Sequence, residues 1–219
     1  MNRRQLIVVS AAAGAAVVFG GSAVYYNRAD ESGSGVVSDN SDSLARVHSP
    51  AIGPTNAPVT IVEFFDPSCE ACRAFYPIVK NILAQYPQDV RLVLRYAAFH
   101  EGSDQAVGIL EAARKQNLFE PVLEALLAAQ PEWAPHSGPV LDKAWQAAAD
   151  AGLDLGRARQ DATSDEVAAV LDQESKDIDT WQVEQTPTFF VNGKTMQTFG
   201  PQQLIDLIET EVKRTRGTQ

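Results

Sequence analysis

Cysteine is almost absent: Cys69 and Cys72 are the only two in 219 residues. A disulfide scaffold would need more of them, so a lone Cys-x-x-Cys pair points to thiol chemistry. Histidine is as scarce. A zinc site built on the two cysteines would need two ligands from His48, His100 and His136, and none of these is spaced from another as metal ligands are. Positive charge is short as well, with 18 Lys and Arg against 28 Asp and Glu and a formal net charge of −10. Nucleic acid and anionic membrane surfaces reward basic patches, so both are disfavoured as partners. There is no internal repeat, and Asp30 to Ser43, ahead of the fold, is too polar to act as a dimerisation arm. A monomer is therefore expected.

Long uncharged runs are missing too, except one. Arg3 and Arg4 precede Leu6 to Tyr26, 21 residues without a charge. A basic start followed by an apolar stretch is the pattern of a secretory signal, and the run is also long enough to span a bilayer. Residues 1–29 are read as a signal peptide or membrane anchor. The remainder is then periplasmic or otherwise extracytoplasmic, either secreted or tethered to the inner membrane. Residues 30–43 are Ser, Gly, Asp and Asn with little that is apolar, the composition of a flexible linker. The folded domain is placed at 44–214.

Within it, Val59 to Phe65 reads as a buried strand, and Val90 to Tyr96 as a second. Between them Glu70 to Gln85 carries an apolar stripe at helical spacing (Phe75, Ile78, Val79, Ile82 and Leu83). Strand, helix and strand in this order make a βαβ unit with a parallel pair. Helical patterning follows over about 101–182. Ser103-Asp104 is a candidate cap, and Pro131, Pro135 and Pro139 mark a loop. Thr188 to Val191, the turn Asn192-Gly193 and Thr195 to Phe199 read as a hairpin, and Gly200-Pro201 opens a last amphipathic helix. The expected class is α/β, a thioredoxin fold interrupted by a helical subdomain.

Three stretches carry a resemblance: Gly53 to Phe64, Cys69-Glu70-Ala71-Cys72 with Phe75 after it, and Thr186-Pro187-Thr188-Phe189-Phe190-Val191-Asn192-Gly193-Lys194. Together they resemble the DsbA-like thiol-disulfide oxidoreductases over about Leu44 to Arg214. The chain departs from DsbA in carrying Glu-Ala between the cysteines where DsbA has Pro-His. The resemblance implies an enzyme that needs no cofactor, because the two sulfurs are its redox group. It implies cysteine-containing proteins as substrates and a membrane redox partner. It also implies a cis peptide at Thr186-Pro187 and a buried acid at Glu63 that accepts the proton of the second cysteine.

The residues assign roles on their own account. Cys69 stands where a helix begins, so free N–H groups and the positive end of the dipole favour its thiolate. Cys72, one turn in, is the resolving thiol. Glu63 lies mid-strand among Ile61, Val62, Phe64 and Phe65, where a carboxylate is costly unless it has a role. The resemblance further implies that Thr186, with Glu70 and Ala71, meets substrate, the Thr186 backbone pairing with a substrate strand beside a cis Pro187. Glu70 opposes a neighbouring thiolate, which makes the couple less oxidising than DsbA. His100 is read as a solvated loop residue, and Trp133 as the tryptophan to watch for peptide contact. The rival reading is a thioredoxin-like copper or zinc carrier without redox turnover.

Overall fold

Alternation in two seven-residue runs sets the architecture. In Val59–Phe65 the residues Val59, Ile61 and Phe65 point to one core, while Val62 and Phe64 point to another. Val90–Tyr96 repeats this, with Val90, Leu92, Leu94 and Tyr96 on the first side and Val93 on the second. Strands buried on both faces need cover on both faces, which is the layering of an α/β protein.

The computed structural model describes residues 44–217. The expected export segment and linker, 1–29 and 30–43, lie outside the described residues. Among the described residues no helix is long and apolar enough to cross a membrane. The elements run β1 (Ala51–Ile52), β2 (Val59–Phe65), α1 (Glu70–Gln85), β3 (Val90–Tyr96), α2 (Ser103–Lys115) and α3 (Phe119–Trp133). They continue with α4 (Leu141–Asp150), α5 (Leu155–Asp161), α6 (Asp165–Thr180), β4 (Thr188–Val191), β5 (Lys194–Thr195) and α7 (Pro201–Arg216).

The sheet order is β1-β3-β2-β4-β5. β2 and β3 are parallel, as a crossover through α1 requires, and the other neighbours are antiparallel. This is the expected α/β thioredoxin-like fold, with five helices between β3 and β4. The larger core joins one sheet face to α1, α7 and most of the helical segment; the smaller, with Phe64, Phe190, Ile178 and Trp181, seats α6 on the other face.

A buried ion cluster pins that second face. Arg95 of β3 is fully buried and donates from Nε to both Glu174 oxygens at 3.0 Å, from Nη2 to Asp177 at 2.5 Å, and from Nη1 to the Leu44 carbonyl at 2.7 Å. Arg46 closes on Asp177 at 2.6 Å and His48 on Glu174 at 2.9 Å. The 44–48 segment, β3 and α6 are thus tied through three cationic or titratable side chains and two carboxylates.

Several local expectations change. Pro131 lies inside α3, because the helix runs to Trp133 and only 134–140 is loop. Trp133 is fully buried, with its Nε1 donating to the Leu126 carbonyl at 2.8 Å, so it is core and not a peptide contact. The second hairpin strand is only Lys194–Thr195, where the expectation ran to Phe199. Asp154, which no reading of the chain singled out, caps α5 by accepting from the Gly156 and Arg157 N–H groups. Ser103 is the first residue of α2, but its hydroxyl is turned inward; Gly102, at φ 79°, holds the cap position.

Breaking a buried pair strands the surviving charges, which costs about 3–5 kcal/mol. Arg95→Leu, which leaves Glu174 and Asp177 only the part-exposed His48 and Arg46, should lose stability of up to that order in urea unfolding. A loss under about 1 kcal/mol would show that the cluster is solvated in solution.

Candidate active site

Strand β2 ends at Phe65, and a three-residue turn closed by the Cys69 N–H on the Asp66 carbonyl (3.1 Å) delivers Cys69 to the cap position of α1. Both cysteines are reduced and buried, Cys69 at 6% exposure and Cys72 at 0%. Their surroundings drive them apart. A hydrogen bond from Cys72 is the largest influence on Cys69; with those from the Thr186 side chain and the Cys72 and Ala71 backbone, it outweighs burial and lowers the thiol to about 5. Burial, the bond to Cys69 and the charges of Glu63 and Cys69 push Cys72 far above the usual thiol range. The Asp66 N–H also points at Cys72 Sγ, at 3.5 Å.

Glu63 shares the face of Ile61 and Phe65, and its strand neighbours are Leu94 and Phe189. It is 1% exposed, and neither carboxylate oxygen has a hydrogen-bond partner among the described residues. Burial first, and then the Cys69 charge, raise its carboxyl to about 8. At neutral pH it is mostly a neutral acid beneath the two sulfurs.

The Thr186–Pro187 bond is cis, and the Cys69 thiol lies 3.3 Å from the Thr186 carbonyl. Phe75 of α1 stacks on Phe189 (5.4 Å) and on the half-exposed Phe199 (5.0 Å), which seats the proline loop against the redox helix. Glu70 is exposed, with its nearest charged neighbour His136 at 3.8 Å. A cavity of about 490 Å³ opens over Cys69. Glu70, Ala71, His100 and the 134–139 loop line it.

Two side chains that nothing in the sequence singled out hold the turn. Asp66 is fully buried and its carboxylate accepts from Ser68 N–H (2.8 Å), Phe99 N–H (2.8 Å), His100 N–H (3.0 Å) and Ser103 Oγ (2.5 Å). Gln130 of α3 donates from Nε2 to the carbonyls of Pro67 (2.7 Å) and Cys69 (3.0 Å). His100 is also corrected: its ring is half exposed, yet Nδ1 sits 2.6 Å from Asp66 Oδ2. Burial alone would lower its proton affinity, but the bond and charge of Asp66, with the Cys69 charge, raise it. Among the described residues no group of three or more His, Cys, Asp or Glu could hold a metal ion.

The thioredoxin family profile matches residues 45–210. The chain belongs to the thioredoxin family. It is 31% identical to a thioredoxin-like oxidoreductase of Silicibacter pomeroyi, with a TM-score of 0.68 over 81% of this chain and 98% of that one. The disulfide bond formation protein D of Bacillus subtilis is 28% identical over 85% of this chain and 86% of its own. The fold is shared with Wolbachia pipientis α-DsbA1, 15% identical, at a TM-score of 0.68 over 79% of this chain and 95% of that one. Within the family its fold is that of the DsbA-like proteins. A Na(+)/H(+) antiporter NhaA of Salinispora tropica is 34% identical over 65% of this chain, which spans 21% of that protein's length.

Glu63 binds its proton more tightly folded than unfolded. Its penalty is therefore absent below about pH 4.5 and grows as pH rises towards about 8. Glu63→Gln should make the reduced protein progressively more stable than wild type across that window, by at most on the order of 5 kcal/mol, and level off above it. Urea unfolding of both proteins over this pH range measures it, and a pH-independent difference would contradict a buried, protonated Glu63.

Proposed function

We propose that this chain is an extracytoplasmic protein thiol-disulfide oxidoreductase that works through the Cys69–Cys72 couple. The observation that carries it is the opposed setting of the two sulfurs, Cys69 favoured as thiolate at a cavity and Cys72 favoured as buried thiol behind it. Its substrates are cysteine-containing proteins, and a membrane redox partner resets the couple. The basic and apolar residues at 1–29 support export or tethering.

In the oxidising direction a substrate thiolate attacks Cys69 Sγ of the intramolecular disulfide. The Cys69–Cys72 bond breaks, its electron pair goes to Cys72, and a substrate–Cys69 disulfide forms. Cys72 takes the proton of Glu63, because a buried thiolate is unfavourable there. A second substrate thiolate attacks the substrate sulfur and expels Cys69 as thiolate. The substrate has lost two electrons and the couple has gained them.

In the reverse direction Cys69 forms the mixed disulfide first, and its charge disappears. That charge is one of the two causes holding the proton on Glu63. With that charge gone the carboxyl releases its proton to solvent, and the carboxylate then takes the Cys72 proton as Cys72 attacks. Thr186 and Pro187, with Glu70 and Ala71, form the walls against which the substrate backbone lies. Glu70 and the Cys69 value of about 5 support a couple between thioredoxin and DsbA.

Cys69→Ser should reduce insulin-disulfide turnover to background. Cys72→Ser should instead accumulate mixed disulfides, visible as a ladder on non-reducing gels. The potential in glutathione buffers should fall between about −270 and −120 mV. Retained turnover in Cys69→Ser would overturn this reading.

A further inference from the structure

The Cys69-Glu70-Ala71-Cys72 segment brings a carboxylate to the sulfur and no cation. A thiolate leaving group is nonetheless needed at Cys69 each time a mixed disulfide resolves. The charged side chains facing the cavity are Glu70, Glu101, His100 and His136, with Glu63 and Asp66 behind the sulfurs. Glu70 and Glu101 are exposed, so solvent and salt screen them. His136 is 91% exposed, and its 3.8 Å approach to Glu70 is beyond a hydrogen bond. His100 differs from all of these in being fixed.

Its anchor is expensive. Asp66 is a fully buried carboxylate that collects three backbone N–H groups and the Ser103 hydroxyl, and still offers Oδ2 to His100 Nδ1 at 2.6 Å. The Ser103 oxygen lies in turn 2.7 Å from Ser68, the residue before Cys69. A carboxylate can only accept, so His100 donates through Nδ1 and its Nε2 is left without a partner among the described residues. The backbone of the same Asp66 points its N–H at Cys72. One residue therefore ties the ring at the cavity wall to the redox pair.

We propose that His100, pinned by Asp66, is the electrostatic partner of Cys69: an imidazolium held at the cavity wall that stabilises the Cys69 thiolate as it leaves a mixed disulfide. It supplies from the β3–α2 loop the positive charge that the Cys-x-x-Cys segment lacks. The step is the resolution already described. The incoming sulfur forms a new S–S bond to the substrate sulfur, the bond to Cys69 breaks, and the electron pair stays on Cys69 beside the cation. By stabilising the reduced form, His100 makes the couple more oxidising than Glu70 alone would allow. The direction in which the Asp66 carboxylate and the Cys69 charge move the imidazole agrees.

This rests on the oxidoreductase reading, and its test is separable from it. His100→Gln keeps a donor for Asp66 but can carry no charge, and the site is half exposed, so the variant should fold. In reduced protein the thiolate absorbance step of Cys69 should move up by about half to one pH unit, a roughly three- to tenfold change in proton affinity. The equilibrium constant with glutathione should move towards reducing by the same factor, a tenfold change being about 30 mV. Insulin turnover should persist at reduced rate, whereas Cys69→Ser abolishes it. The wild type gives a second readout. Coupling is reciprocal, so the His100 ring protons followed by NMR should titrate higher in reduced than in oxidised protein, by the same amount. An unchanged Cys69 step in a folded His100→Gln protein, or equal His100 titrations in the two redox states, would reduce His100 to a loop anchor.

Discussion

The electrostatic coupling of Cys72 and Cys69 is the interaction on which the rest of the site depends. A sulfur that is to attack and leave must be stable without its proton, and one buried at the core of a helix must keep it. Each cysteine supplies the other's condition: Cys72 donates, so Cys69 can be a thiolate, and the thiolate's charge holds the proton on Cys72. Burial separates the two further, because Cys69 opens onto a cavity and Cys72 is sealed on the inner face of α1. Glu63 extends the coupling downward, as its proton is retained by burial and by the same Cys69 charge.

Such an arrangement works only if the turn between β2 and α1 keeps its shape, and most of the buried polar groups near it serve that end. Asp66 closes the turn from the side of the β3–α2 loop, and Gln130 closes it from α3 by holding the Pro67 and Cys69 carbonyls. The helical segment between β3 and β4 thus contributes more than a wall for the cavity. Its first helix places Ser103 on Asp66, its second places Gln130, and its last is fastened to β3 through Arg95.

Much of this was legible in the chain, for physical reasons that can be named. Short apolar, β-branched runs marked β2 and β3, and the 3.6-residue stripe marked α1, because those elements lie in the core and burial writes itself into their pattern. The cysteine pair, Glu63 and Thr186-Pro187 stood out by scarcity, by a misplaced charge and by family likeness. Asp66, Gln130 and Arg95 did not. Asp66 sits in a turn where Asp is ordinary, and its partners beyond Ser68 lie 33 to 37 residues on, in the β3–α2 loop and at the start of α2. Gln130 and Trp133 sit next to prolines that suggested a loop, whereas Pro131 is accommodated in the last turn of α3. Arg95 reads as the polar face of an alternating strand, and only the distant carboxylates of α6 make its burial possible. Long-range polar pairing leaves no periodic trace.

The central claim is the asymmetry of the two sulfurs, and selective alkylation tests it most directly. Reduced protein would be treated briefly with iodoacetamide at about pH 6, below the free-thiol range, and the label mapped by mass spectrometry. The account predicts rapid modification of Cys69 and none of Cys72 until the protein is unfolded. Equal, slow labelling of both residues, or preferential labelling of Cys72, would contradict it.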